Sequence, residues 1–242
     1  MTVIYRISAQ GILYALLRSG REKLYGVANV LGATPPSGLP AFMQNTELEL
    51  MMHGLGTMDL DGQFSMDEEL LTLIGACADC GAVLSCALRR NNTVRTATAY
   101  LLEGRTPILV QTGAHSYDLH TDADPAEVFC VLLDLPAAEN GLSAQTVDSG
   151  LILDRDRAGL MAGGCSEEMA DLILDACRGA AGYAQISPIV QDHQEDLLTL
   201  YYNENGILNV DVSYTWGQEL FRLEPVTAPR VADRIRQMQK RG

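Results

Sequence analysis

Ser65–Cys77 reads SMDEELLTLIGAC, and Ser166–Cys177 reads SEEMADLILDAC. Each stretch opens on a serine, a side chain that caps helix N-termini. Acidic residues follow where a first helical turn would favour them. Ser65 and Glu68 have capping-box spacing, with the hydroxyl on the N3 amide and the glutamate reaching back. Leu70, Ile74 and Cys77 then line one helix face, and Met169, Leu172, Ile173, Ala176 and Cys177 line the other. Each stretch is followed by short alternating segments and a closing helix. The first copy closes with YDLHTDADPAEVFCVLL, Tyr117–Leu133, and the second with LFRLEPVTAPRVADRIRQM, Leu220–Met238. Asp124 caps the first closing helix. Pro125 takes its first position, where a missing amide costs nothing, and Pro229 stands near the start of the second. The pattern is that of a unit of about 70 residues occurring twice, and self-similarity of this kind constrains architecture more than any single motif.

Between the helices the periodicity switches to that of strands. Four are predicted in the first copy, near residues 82–88, 94–102, 107–111 and 116–119, punctuated by Asn91-Asn92, Gly104 and Gly113. Four more are predicted near 183–190, 197–202, 207–214 and 218–223. In the third of these Leu208, Val210, Val212 and Tyr214 alternate with Asn209, Asp211 and Ser213. The N-terminal third reads as helical. Ser8 caps a helix carrying Ile12, Leu13, Leu16 and Leu17 that stops at Gly20. A loop takes in Gly32 and Pro35–Pro40. An amphipathic piece follows through Leu48, Met51 and Met52 and ends at Gly54 and Gly56. Asp61-Gly62, flanked by Leu60 and Phe64, marks a hairpin. Residues 137–164, rich in Ala, Gly, Ser and Asp, separate the copies, with an apolar island at Leu151–Leu153 and a helical stretch around Ala158–Met161. The expected class is α+β: two pseudo-symmetric subdomains, 1–136 and 137–242, each an antiparallel sheet with helices packed on it, plus leading N-terminal helices.

The composition narrows the function. A hydrophobic fraction of 47% in 242 residues supports a sizeable core. The stretch after Met1 lacks the charged and apolar regions of a signal peptide, and no apolar run is long enough for a bilayer, so a soluble, cytoplasmic protein is expected. A net charge of −14 repels nucleic acid unless basic residues concentrate on one face. The basic clusters are Arg89–Arg90 and the terminal Arg234, Arg236, Lys240 and Arg241, the second suited to a helix C-terminus. Six cysteines among apolar neighbours read as small hydrophobes rather than a disulfide framework.

Candidate chemistry is sparse. Cys77-Ala78-Asp79-Cys80, with Cys86 nearby, suggests zinc or redox chemistry, but no second ligand pair exists and this motif closes a helix instead of opening one. Of His53, His115, His120 and His193, the middle two flank one short strand near Asp118 and Asp122, where a hydrolase or transferase site could be drawn. Asp59-Leu60-Asp61-Gly62 lacks the remaining ligands of a calcium loop. Asp154-Arg155-Asp156-Arg157 reads as a solvated charged turn. Phosphate-binding glycine loops and the G-x-S-x-G elbow are absent from the sequence. No cofactor and no metal are expected. Trp216, beside Gly217 at a predicted hairpin tip, either folds onto the core or anchors a partner. Met51, Met52, Leu160 and Met161 offer adaptable apolar surface or core packing.

The order of elements, with Gly54-Leu55-Gly56 leading to Asp61-Gly62-Gln63-Phe64, a capped helix, a meander ending in Tyr117-Asp118-Leu119 and a degenerate second copy, resembles the EspG family, the cytosolic chaperones of type VII (ESX) secretion systems. The resemblance spans nearly the whole chain. It implies two αβ subdomains about a pseudo-two-fold axis and a binding role without catalysis. The implied partner is a helical secretion substrate of the PE–PPE or WXG-like type. The family's contact surface maps onto the turn at Gly104–Arg105 and onto Leu160–Met161, and Trp216 joins them as a partner-binding candidate from its own position at a hairpin tip. Capture of helices in an apolar groove needs apolar anchors, not reactive groups. The alternatives to this reading are the hydrolase or transferase site near His115 and His120 and an α+β interaction domain with no secretory role.

Overall fold

A computed structural model describes residues 3–27, 38–137, 142–190, 193–194, 197–203, 206–215 and 217–240. The chain opens with strand β1 (Ile4–Ser8), which turns directly into helix α1 (Ala9–Arg18). Ser8 is both the last strand residue and the helix cap, its hydroxyl accepting from the Gly11 amide at 3.0 Å. Helix α2 (Leu39–Met52) and the hairpin β2 (Gly56–Met58) and β3 (Phe64–Met66) follow. Gly62 adopts a positive φ of 78° in the hairpin loop, as the Asp61-Gly62 signal requires. Then come α3 (Glu68–Ala78), the meander β4 (Ala82–Arg90), β5 (Thr93–Tyr100), β6 (Ile108–Gln111) and β7 (Ser116–His120), and α4 (Pro125–Leu132). The remainder comprises β8 (Gln145–Asp148), α5 (Ser149–Leu153), α6 (Arg157–Ala162), α7 (Glu167–Gly179), β9 (Gly182–Val190), β10 (His193–Gln194), β11 (Leu198–Tyr202), β12 (Ile207–Thr215), β13 (Gln218–Pro225) and α8 (Ala228–Gln239).

The class is α+β. Ten strands form one antiparallel path in the order β1-β7-β6-β5-β4-β9-β11-β12-β13-β8, with β10 beside β9. β4 and β9 pair along their whole lengths at the middle of the path, from Ala82 opposite Val190 to Arg90 opposite Gly182.

Strand alternation sends side chains to two faces, and both faces are covered by helices. On one face Leu84, Cys86, Ala99, Ile186 and Leu200 pack beneath Phe129 of α4 and Ile235 of α8. On the other, Val83, Tyr100, Leu109 and Leu119 lie among Ile12, Leu50 and Ile74 of α1–α3. Further along, Val147, Leu208 and Leu223 lie among Ile152, Leu160 and Leu172 of α5–α7. Each fully buried aliphatic or Phe side chain contributes roughly 1.5–3 kcal/mol relative to exposure. The α4–α8 layer draws on both sides of the β4–β9 ladder.

Several local expectations shift. The cap of α3 is Asp67, whose carboxylate accepts from the Leu70 amide at 2.8 Å, because Ser65 is held in β3 opposite Thr57. The α7 cap is Ser166 as expected, accepting from Met169 at 3.2 Å. The N-terminal third is not wholly helical, since β1 pairs with β7 and β2 with β3. Most of the anticipated 35–40 loop lies outside the described residues, as does Gly32, while Leu39 and Pro40 begin α2. On α2 the buried residues are Thr46 and Leu50, whereas Met52 is 86% exposed. Residues 145–153 contain β8 and α5 where an irregular connection with an apolar island is expected. Helix α6 covers the stretch expected around Ala158–Met161. Among the described residues no helix is long and apolar enough to cross a membrane.

Candidate functional site

The catalytic alternatives disperse in space. His115 lies beside Ser8, Gln10 and Glu49, whereas His120 lines a different cleft with Val110 and Val128. Their would-be acids have structural partners: Asp118 faces Arg6 at 3.7 Å, and Asp122 accepts from the Thr106 amide at 2.9 Å. His193 is described only through its backbone pairing with Val190. Among the described residues no group of three His, Cys, Asp or Glu side chains is placed to hold a metal ion.

The cysteines are free thiols. Burial pushes the Cys77 thiol up to about 12, and the buried Cys86 thiol is raised as well. Reactive thiols are tuned in the opposite direction. Cys80 donates its S–H to the Ala82 carbonyl at 3.0 Å, so the C-x-x-C pair seals the end of α3 against β4. Charged candidates are likewise structural. Arg90 sits 5.5 Å over the Tyr202 ring and 3.6 Å from Asp134. Asp59 caps the β2–β3 turn by accepting from Asp61 and Gln63. The Asp154–Arg157 turn is more than solvated surface. Asp156 caps α6, and Arg157 clamps α7 through Glu167 at 2.6 Å and Asp171 at 2.7 Å.

The partner-binding candidates divide. Gly104 and Arg105 form an exposed turn between β5 and β6, where Gly104 has φ of 80° and Leu102 bridges to Arg105. Arg105 shares a surface cleft with Glu68 and Glu69 of α3. Leu160 is 0% exposed inside the α5–α7 core, so α6 presents Met161, not Leu160, to solvent. Trp216 lies outside the described residues. The Gly104–Arg105 turn is thus exposed beside α3, and Met161 is exposed on α6.

Three further surfaces stand out, of which only the first has a signal in the sequence, through Met52. One is the end of α2 with the β2–β3 hairpin, where Met52, Met58 and a fully exposed Leu60 fall within nine residues, 52–60. Another is an open groove of about 810 Å3 between α4 and β5–β6, lined by Val94, Val110, Val128, Val131 and Leu132, with Val131 80% exposed. The last is a smaller, polar cleft of about 240 Å3 between α8 and the β12–β13 hairpin. There Asn209 stands opposite Glu224, and Asp211 opposite Arg222. Arg230 and Arg234, one turn apart on α8, close the cleft from above.

No protein-family model matches the chain, and no curated protein matches its sequence. A solved structure does match: the type VII secretion system chaperone EspG5 of Mycobacterium tuberculosis in complex with a PE25–PPE41 dimer. The TM-score is 0.64 at 12% identity, over 98% of this chain and 95% of that one. The fold is EspG-like. At this identity the likeness is one of fold, and it runs over nearly the whole chain. Within the EspG-like fold, Gly54–Phe64 is the α2–β2–β3 corner and Tyr117-Asp118-Leu119 is the core of β7.

Proposed function

We propose that this protein is a cytoplasmic targeting chaperone that holds a helical-hairpin substrate of a type VII secretion system, of the PE–PPE or WXG-like kind, and makes no covalent bond itself. The observation that carries the reading is the whole-chain EspG-like fold, shared with a chaperone whose structure was solved with a PE–PPE dimer. The dispersal of His115 and His120 into separate clefts weighs against the hydrolase or transferase alternative.

We also propose two related subdomains, 1–136 and 137–242. In support, the strand path reads alike from either end: an outer strand that becomes a helix, then a meander running back to the central β4–β9 pair. The proposed partner surface comprises Gly104 and Arg105, Met161, the Met52–Leu60 corner and the α4 groove. Exposed apolar side chains at Met52, Met58, Leu60, Val131 and Met161 supply anchors for an amphipathic helix.

The test is co-expression with helical-hairpin proteins encoded beside this chain, followed by size-exclusion chromatography. A co-eluting complex, with the hairpin protein insoluble when expressed alone, is the expected result. Failure of every neighbouring hairpin protein to co-elute overturns the chaperone reading. Retention of the complex by Arg105→Glu, Met161→Asp, Leu60→Asp and Val131→Asp variants alike overturns the surface assignment.

A further inference from the structure

The geometry points to a carboxylate-binding site in the cleft between α8 and β12–β13, for a small group that carries an N–H donor beside its carboxylate. Asn209 is only 5% exposed, yet its Oδ1 has no hydrogen-bond partner among the described residues. Its Nδ2 is committed, donating to Asp211 Oδ2 at 3.2 Å, which leaves Oδ1 as an unpartnered acceptor, just beneath the surface, on a residue that lines the cleft. Buried polar atoms in folded proteins are nearly always satisfied, so an orphan lining a cleft asks for a donor from outside.

The surrounding charges define the rest of the ligand. Arg230 is tied to Glu224 at 3.1 Å. Arg222 and Arg234 form no ion pair within 4.0 Å among the described residues and line the same cleft. Two free guanidiniums suit a carboxylate, which accepts bidentate donation from arginine. Asp211 and Glu224 in the same walls oppose a more highly charged anion, so a monoanion fits better than phosphate. A cleft of 240 Å3 is below the roughly 300–1,000 Å3 typical of drug-sized ligands and takes a group of about one residue. An amino acid, or the C-terminal residue of a polypeptide, offers both functions at this scale. The terminal residue's amide N–H, or the ammonium of a free amino acid, would meet Asn209 Oδ1, and the carboxylate would meet Arg222 and Arg234.

The site is independent of the chaperone reading, and its test needs no secretion partner. The full chain is titrated by calorimetry with Gly-Gly-Gly-Gly-Ala bearing a free carboxylate, with the same peptide as its carboxamide, with free alanine and with inorganic phosphate. The free-carboxylate peptide or alanine is expected to bind, and the carboxamide to bind about tenfold more weakly or not at all. Tighter binding of the peptide than of alanine assigns the site to a polypeptide terminus, and the reverse order assigns it to a free amino acid. Arg234→Gln, on the outer face of a helix, and Asn209→Leu are each expected to weaken the carboxylate probe about tenfold with circular dichroism unchanged. If Asn209→Leu misfolds, Arg234→Gln and the carboxamide comparison still decide. Equal binding of carboxylate and carboxamide, preference for phosphate, or no binding at millimolar concentration overturns the assignment.

Discussion

Cys86 of β4 stands directly opposite Ile186 of β9, and the ladder extends four residues either way, to Ala82–Val190 and Arg90–Gly182. These two residues, one hundred positions apart, place the centre of the sheet on contacts that neither half of the chain can make alone. Both are buried in the layer under α4 and α8. Ile186→Ala is expected to cost about 2–5 kcal/mol. Urea unfolding followed by far-ultraviolet dichroism and by tyrosine fluorescence should show coincident transitions. Residues 3–137 expressed alone should aggregate, because β4 would become a long apolar edge. A soluble, cooperatively folding fragment would contradict this coupling.

The Tyr202 hydroxyl crosses the same layer to donate to the Leu133 carbonyl at 2.8 Å. Tyr202→Phe keeps the ring beneath Arg90 but strands a buried carbonyl. A loss of about 1–3 kcal/mol in chemical denaturation is expected, with little change in denaturant slope.

Arg157 ties α6 to α7, and its hydrogen bond, reinforced by its charge, holds the Asp171 carboxyl below the usual carboxylate range. A depressed folded-state value stabilises the fold above the unfolded value and loses that contribution as pH falls through the folded one. Arg157→Gln should therefore lower Tm at neutral pH. The difference from the parent should shrink once pH drops below the ordinary aspartate value of about 3.9. A difference that grows in acid would exclude this role.

Cys77 and Cys86 should resist iodoacetamide in the native protein at neutral pH and react fully in denaturant, because burial both raises their thiols and hides them. Peptide mass mapping after timed labelling reads this directly.

Leu60 projects from the β2–β3 tip without covering any core. Leu60→Asp should leave stability within about 0.5 kcal/mol of the parent. A lost or weakened substrate complex at unchanged Tm would separate a binding role from a folding one.

Where the sequence was legible, the signal was local. Ser8, Asp124 and Ser166 cap helices within three residues, and each cap is where the side-chain pattern places it. The meander strands lie within two residues of their expected bounds, because their alternation is regular and Gly or Asn marks the turns. The outer strands were hidden for the opposite reason. Neither IYRIS nor QTVD carries a distinctive pattern, and their partners lie in β7 and β13, far along the chain. The Ser65 cap gave way to Asp67 through pairing of Ser65 with Thr57, again a tertiary effect. Of the candidate surface, Gly104–Arg105 is readable as a turn, but the burial of Leu160 beside exposed Met161 depends on how α6 lies on α7. The orphaned Asn209 acceptor becomes visible only when α8 closes over the sheet.

A sheet this wide still has two rims, and both are short strands. Ser8 ends β1 and starts α1, and Asp148 ends β8 and starts α5, so one side chain in each place both halts the ribbon and winds the coil that follows. Among the described residues, a neighbouring copy would find five residues on one flank and four on the other to lengthen the array. Rims this short leave an approaching copy little template for strand pairing.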